Sequence, residues 1–114
     1  MRAVSWSHDG ARLASGSSDK AVKVWDAATG EVVHTLQGHS GDVNAVSWSP
    51  DGTRLASGGI DKTVKVWDAV TGEVVQTLQG HSGSVWAVVF SPSGTRLASG
   101  SHDKTVKVLS LIHI

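Results

Sequence analysis

Residues 43–84 read VNAVSWSPDGTRLASGGIDKTVKVWDAVTGEVVQTLQGHSGS, and this stretch decides the fold. It occurs nearly twice, because residues 1–42 match it at 32 of 42 positions. Ala-Val-Ser-Trp-Ser starts at Ala3 and Ala45, and Ala-Val-Val-Phe-Ser starts at Ala87. Arg-Leu-Ala-Ser-Gly recurs at Arg12, Arg54 and Arg96, so the period is 42 residues. A fixed period of that size marks repeat units that bury their apolar faces only against one another. The third copy follows the pattern to Val108 and then leaves it. The chain thus divides into units 1–42, 43–84 and 85–108, with a non-repeat tail at 109–114.

Within one unit, four short alternating runs separated by turn chemistry predict a four-stranded antiparallel sheet. In the second unit the runs are Val43 to Trp48, Arg54 to Gly58, Thr63 to Trp67 and Glu73 to Leu78, here strands a to d. Pro50-Asp51-Gly52, Ile60-Asp61-Lys62 and Thr71-Gly72 supply the turns. The runs are short and rich in Val, Thr and Trp, which suits strands and not helices.

The Gly-His pairs (Gly38-His39, Gly80-His81) and Trp-Asp pairs (Trp25-Asp26, Trp67-Asp68) stand at this period. Together they resemble the WD-repeat β-propeller family, over residues 1–108. The near-identity of the copies is similar to tandem WD repeats of bacterial and fungal signalling proteins. The resemblance implies an all-β fold with strand a innermost and strand d at the rim. The expected architecture is an incomplete β-propeller arc of four-stranded antiparallel WD-type blades. Two blades have four strands, and the third has three because its strand d is missing.

The resemblance also implies a hydrogen-bonded tetrad within a blade. In blade two it is His39, Ser57, Asp61 and Trp67. The indole N–H reaches the serine hydroxyl, the hydroxyl meets the histidine ring, and the aspartate holds the other ring nitrogen. Blade one keeps Ser15, Asp19 and Trp25. Blade three keeps His81, Ser99 and Asp103, but Leu109 stands where the tryptophan would, so its Ser99–His81 end is expected to be loose.

Serine, histidine and aspartate together also invite a hydrolase reading. A nucleophilic serine needs an exposed hydroxyl beside an oxyanion site, commonly on a strained Gly-x-Ser-x-Gly turn. Ser57 instead lies mid-strand in Leu-Ala-Ser-Gly and recurs as Ser15 and Ser99. No catalytic residue is expected. His8, His34 and His102 have no second ligand at zinc-like spacing, and no glycine-rich loop opens a helix. Neither a metal nor a cofactor is expected.

Ten Lys and Arg balance ten Asp and Glu, so no net field draws nucleic acid or an anionic membrane. Lys23, Lys65 and Lys107 share one slot, but Asp19, Asp61 and Asp103 share another, which predicts a mixed-charge surface. The chain has no cysteine, no apolar run of membrane-spanning length and no leader, so a cytoplasmic protein is expected.

Three slots change chemical type between copies: Arg2, Asn44 or Trp86; Ser18, Ile60 or His102; Asp42 or Ser84. Drift on a neutral surface would do this too. The family resemblance places these slots on the top face around the channel, where partner proteins dock. Trp86 and Ile60 then serve as apolar anchors, with polar contacts around them. Trp6 and Trp48, in a slot also filled by Phe90, are expected to pack between blades.

The leading expectation is a scaffold or recognition module for a protein or peptide. The alternatives are a sensor array of a larger signalling NTPase or effector, and a fragment with no independent function. An open arc is also expected to self-associate through its end faces. The tail Leu109 to Ile114 reads LSLIHI where the repeat calls for Trp-Asp-Ala. The codons CTG TCT CTT ATA CAC ATC encode it and resemble a transposon-end adapter. The expectation is a reading frame cut short there, with a genuine apolar strand end as the alternative.

Overall fold

The computed structural model describes residues 3–16, 20–79 and 81–110. Blade one holds β1 (Ala3–Trp6), β2 (Arg12–Gly16), β3 (Ala21–Asp26) and β4 (Val32–Gln37). Blade two holds β5 (Val43–Trp48), β6 (Arg54–Gly59), β7 (Thr63–Asp68) and β8 (Val74–Gln79). Blade three holds β9 (Val85–Phe90), β10 (Arg96–Ser101) and β11 (Val106–Ser110). Each blade is a sheet whose neighbours follow chain order, and every pairing is antiparallel. The fold is the all-β arc of four, four and three strands that the repeat predicts. Strand β11 extends to Ser110, two residues past the repeat, and 111–114 lie outside the described residues.

Turn chemistry fixes the register. Between β5 and β6, Asp51 Oδ1 accepts from Ser49 Oγ (2.7 Å) and from the Thr53 N–H (3.0 Å). Gly52 takes φ 74° there, a conformation open to a residue without Cβ. The β6–β7 turn is less expected, because Lys62 sits at φ 70°, as Lys20 and Lys104 do at 72° and 68°. A side chain in that region costs about 1–2 kcal/mol. In blade two the cost is offset locally: Lys62 N–H donates to Gly59 O, and Asp61 Oδ1 accepts the Thr63 N–H, both at 3.2 Å.

The core lies between sheets, not within one. Successive side chains on a strand point to opposite faces. Val64 and Val66 of β7 therefore pack with Val85, Val88, Phe90 and Leu97 of blade three. Trp67 points the other way, with Trp48 and Leu55, onto Ala14, Val22, Val24 and Leu36 of blade one. Gly16 and Gly58 are notches for the next blade, since a Cβ there would meet Val43 Cγ1 at 2.6 Å and Val85 Cγ1 at 2.5 Å. Polar ties also cross from blade one to blade two. Trp48 Nε1–H donates to Ser5 O at 3.0 Å, and Arg12 Nη1 donates to Ala69 O at 3.4 Å.

Candidate interaction surface

The loop entering strand a and the turn between strands b and c meet on one edge of blades two and three. In blade two the Ile60 N–H donates to Asp42 O at 3.0 Å, and in blade three the His102 N–H donates to Ser84 O at 2.9 Å. This edge carries both the polar network and the variable slots.

The structure joins Trp67, Ser57, His39 and Asp61 in one chain of hydrogen bonds. Trp67 Nε1–H donates to Ser57 Oγ at 2.8 Å, Ser57 Oγ lies 2.6 Å from His39 Nε2, and His39 Nδ1 lies 2.9 Å from Asp61 Oδ2. The Asp61 carboxylate can only accept, so Nδ1 carries the single hydrogen of the neutral ring, Nε2 accepts the Ser57 hydroxyl hydrogen, and the serine oxygen accepts from the indole. His39 is then the neutral Nδ1–H tautomer, donating to Asp61. Burial is the main force holding the His39 pKa below its ordinary value, against the pull of Asp61. Burial also works to raise the Asp61 pKa. Hydrogen bonds from Thr63, His39 and the Ser40 N–H outweigh it and keep the carboxyl low.

The order Ser–His–Asp is that of a hydrolytic triad, but the serine is closed. Ser57 is fully buried and already holds a tryptophan and a histidine, so no substrate carbonyl reaches it. What the network does is satisfy buried polar groups while tying β6, β7 and the loop before β5 together.

Blade one shows the indole end of the same network, with Trp25 Nε1–H donating to Ser15 Oγ at 2.9 Å. Asp19 lies outside the described residues. Blade three shows the other end and corrects an expectation. Without a tryptophan, Ser99 Oγ still meets His81 Nε2 at 2.7 Å, and His81 Nδ1 meets Asp103 Oδ2 at 3.0 Å. That end is not loose, because the histidine and the aspartate come from two loops that already grip each other. The Ser82 N–H donates to Asp103 Oδ2 at 3.0 Å, and Thr105 Oγ1 also donates to this carboxylate. The Thr105 bond leads in pushing the Asp103 pKa far down.

The variable slots divide. Ile60 and Trp86 are exposed, at 43% and 45%, and His102 is exposed as well. Trp86 and His102 stack with ring centroids 4.6 Å apart and planes inclined by 39°. Asp42 and Ser84 are half-buried, their carbonyls holding the turns. Asn44 is a correction: it is buried, and its Nδ2 donates to Val85 O at 3.3 Å in the neighbouring blade. Being short, its amide folds across the interface where the larger Trp86 stands out. Arg2 and Ser18 lie outside the described residues.

Sequence reasoning named Trp86 and His102 separately but not as a stacked pair. Their shared place across copies, at the strand-a start and the b–c turn, was the available signal. Trp48 is buried between blades, as expected, and so is Phe90, but Trp6 is 60% exposed. Among the described residues no three His, Cys, Asp or Glu side chains gather as a metal site.

Comparison with known proteins agrees with this geometry. The family model "WD domain, G-beta repeat" matches residues 1–26, 30–68 and 72–110. The U5 small nuclear ribonucleoprotein 40 kDa protein of Dictyostelium discoideum is 52% identical over 40 residues, which are 35% of this chain and 11% of that protein. The probable serine/threonine-protein kinase PkwA of Thermomonospora curvata is 51% identical over 43 residues, 38% of this chain and 6% of that protein. A solved structure titled "Structure of U3-55K" superposes on 98% of this chain and 36% of its own, with TM-score 0.94 and 28% identity. The chain thus spans about a third of that solved chain, and the matched stretches are a small part of the two relatives.

Proposed function

The chain belongs to the WD-repeat family, whose propellers generally serve as interaction modules, and we propose that its top edge docks a partner protein or peptide. The observation that carries the proposal is the Trp86–His102 stack, an exposed aromatic pair on a rigid blade. The two rings already pack against each other, so less side-chain freedom is lost on binding. Ile60 offers a second apolar anchor on the adjacent blade. Tryptophan is one of the residue types enriched among binding hot spots.

A peptide library selected on the chain tests this. Selected peptides should bind Trp86→Ala at least about thirtyfold more weakly, the order of a hot-spot loss of ≥2 kcal/mol. Val75→Ala, on the rim strand, should bind as the parent does. Equal binding by Trp86→Ala, Ile60→Ala and the parent overturns the proposal.

A second reading has one observation in its favour. The match to PkwA, a probable kinase by name, favours a sensor array joined to a signalling domain. Such an array uses the same top edge, and what differs is whether partner binding changes the activity of an attached domain.

A further inference from the structure

We infer that the buried Asn44 is a positioning residue of the docking edge: its amide fixes the peptide unit between Val85 and Trp86 and so holds the Trp86 indole against His102. Its use in binding rests on the docking proposed above. Its hold on the stack does not.

Strand a carries one extra residue in both blades concerned. Val43 pairs with Gly59 and Ala45 with Gly58, so Asn44 has no partner of its own on β6. Val85 pairs with Ser101 and Ala87 with Gly100, so Trp86 has none on β10. A bulge of this kind interrupts the ladder and re-aims the side chain of the extra residue. In blade three a further hold comes from the blade before it, where Asn44 Nδ2 donates to Val85 O at 3.3 Å. That carbonyl belongs to the same planar peptide unit as the Trp86 nitrogen. Fixing it fixes the plane from which the indole departs.

The residue type points the same way. Asn44 is 8% exposed, and its Oδ1 is buried with no hydrogen-bond partner among the described residues. An unserved buried acceptor is costly, and an apolar side chain of similar size would avoid it. Turning the amide end for end would set its oxygen against Val85 O, so the donor must face the carbonyl. What the amide provides, and an apolar residue does not, is that donor. The indole it places stacks on His102, with ring centroids 4.6 Å apart, while the His102 N–H is tied to Ser84 O at 2.9 Å. The stack is thus set from two sides, His102 by the loop entering β9 and Trp86 by the neighbouring blade.

The His102 ring resonances in NMR spectra of the whole chain at one fixed pH report the stack, because the Trp86 ring current displaces them. Trp86→Ala gives the unstacked reference. Asn44→Leu keeps the size of the side chain and removes the donor, and Asn44→Ala serves if leucine does not fit. Either variant is expected to move the His102 resonances toward the reference, while those of the buried His39 and His81 stay in place. Peptides selected on the parent should bind the variant about threefold to tenfold more weakly, the range that the net contribution of one hydrogen bond gives. Once Trp86 is alanine, Asn44→Leu should have no further effect on binding. Unmoved His102 resonances overturn the inference, as does a shift shared equally by all three histidines, which marks general loosening. Peptides that need Trp86 yet bind Asn44→Leu as they bind the parent also overturn it. Peptides indifferent to Trp86 sink the docking itself, and the His102 resonances then decide whether Asn44 sets the stack.

Discussion

Blades two and three share the Ser–His–Asp half of one network and differ in its last link. In blade two, Trp67 is buried and closes the chain onto Ser57. In blade three, residue 109 stands in the same register opposite Leu97, as Trp67 stands opposite Leu55, but it is leucine. The serine–histidine distances are nevertheless 2.6 Å and 2.7 Å. The half built from adjacent loops is therefore locally encoded and closes without the indole. The tryptophan adds a tie between strands b and c and satisfies the remaining serine acceptor.

The largest effect should come from cutting that tie where it is most buried. Trp67→Phe removes the donor from a fully buried hydroxyl, which costs about 1–3 kcal/mol when a buried polar group loses its partner. Trp25→Phe should cost less, because Trp25 is half-buried in blade one. Denaturant melts at one fixed chain concentration measure both, since association would otherwise shift the midpoints. Equal losses would show that burial of the network does not set its worth.

The difference between the blades also shows which features a sequence carries openly. Strand positions were legible within a residue or so, because Pro-Asp-Gly and Thr-Gly fix the hairpins and the period repeats the evidence. The tetrad residues were legible through the family pattern. Asn44 was not, because equivalence of slot says nothing about side-chain length: a short amide folds onto Val85 O where an indole cannot. The firmness of the Ser99–His81 pair was hidden for a different reason. It depends on the Ser82 N–H and Thr105 gripping Asp103, contacts visible only once the two loops are in place.

Acid should expose the blade-two network next. Burial holds His39 below its ordinary pKa of 6.5 in the folded chain. Between that value and the lower folded one, the unfolded chain binds more protons, so stability falls as pH falls. The loss is at most about 1.4 kcal/mol per pH unit for one proton. Asp61, also held low, adds a further loss only below its ordinary value of 3.8. Melts from pH 7.5 to 5.5 should therefore show a slope that His39→Gln flattens. An unchanged slope in that variant would assign the dependence to another group.

Completing blade three inverts the first experiment. Leu109→Trp places an indole donor in register with the one in blade two. Serving the free acceptor of Ser99 should stabilise the chain by about 0.5–1.5 kcal/mol, the net worth of one hydrogen bond. No gain, with far-UV dichroism unchanged, would mean that a donor needs strand d beside it to be held in place.

The smallest effect separates the same two blades at their opposite edge. In blade two, Asp51 gathers Ser49 Oγ at 2.7 Å, the Thr53 N–H at 3.0 Å and Thr53 Oγ1 at 2.8 Å. Blade three has Ser93 at that position, and its hydroxyl meets only two others, Thr95 Oγ1 at 2.8 Å and Ser91 Oγ at 3.3 Å. Both turns use the same glycine geometry, with φ 74° at Gly52 and 75° at Gly94, so the backbone is ready for either residue. Ser93→Asp should therefore add a stabilisation of about 0.5 kcal/mol, small because the turn faces solvent and water already serves these donors. Asp51→Ser should lose a similar amount. The sign with pH identifies the cause. Hydrogen bonding, first from Ser49, lowers the Asp51 pKa to about 2, so its contribution is full above the ordinary value of 3.8 and fades as pH falls toward 2. If the Ser93→Asp gain persists unchanged at pH 2, shape and not charge distinguishes the two turns.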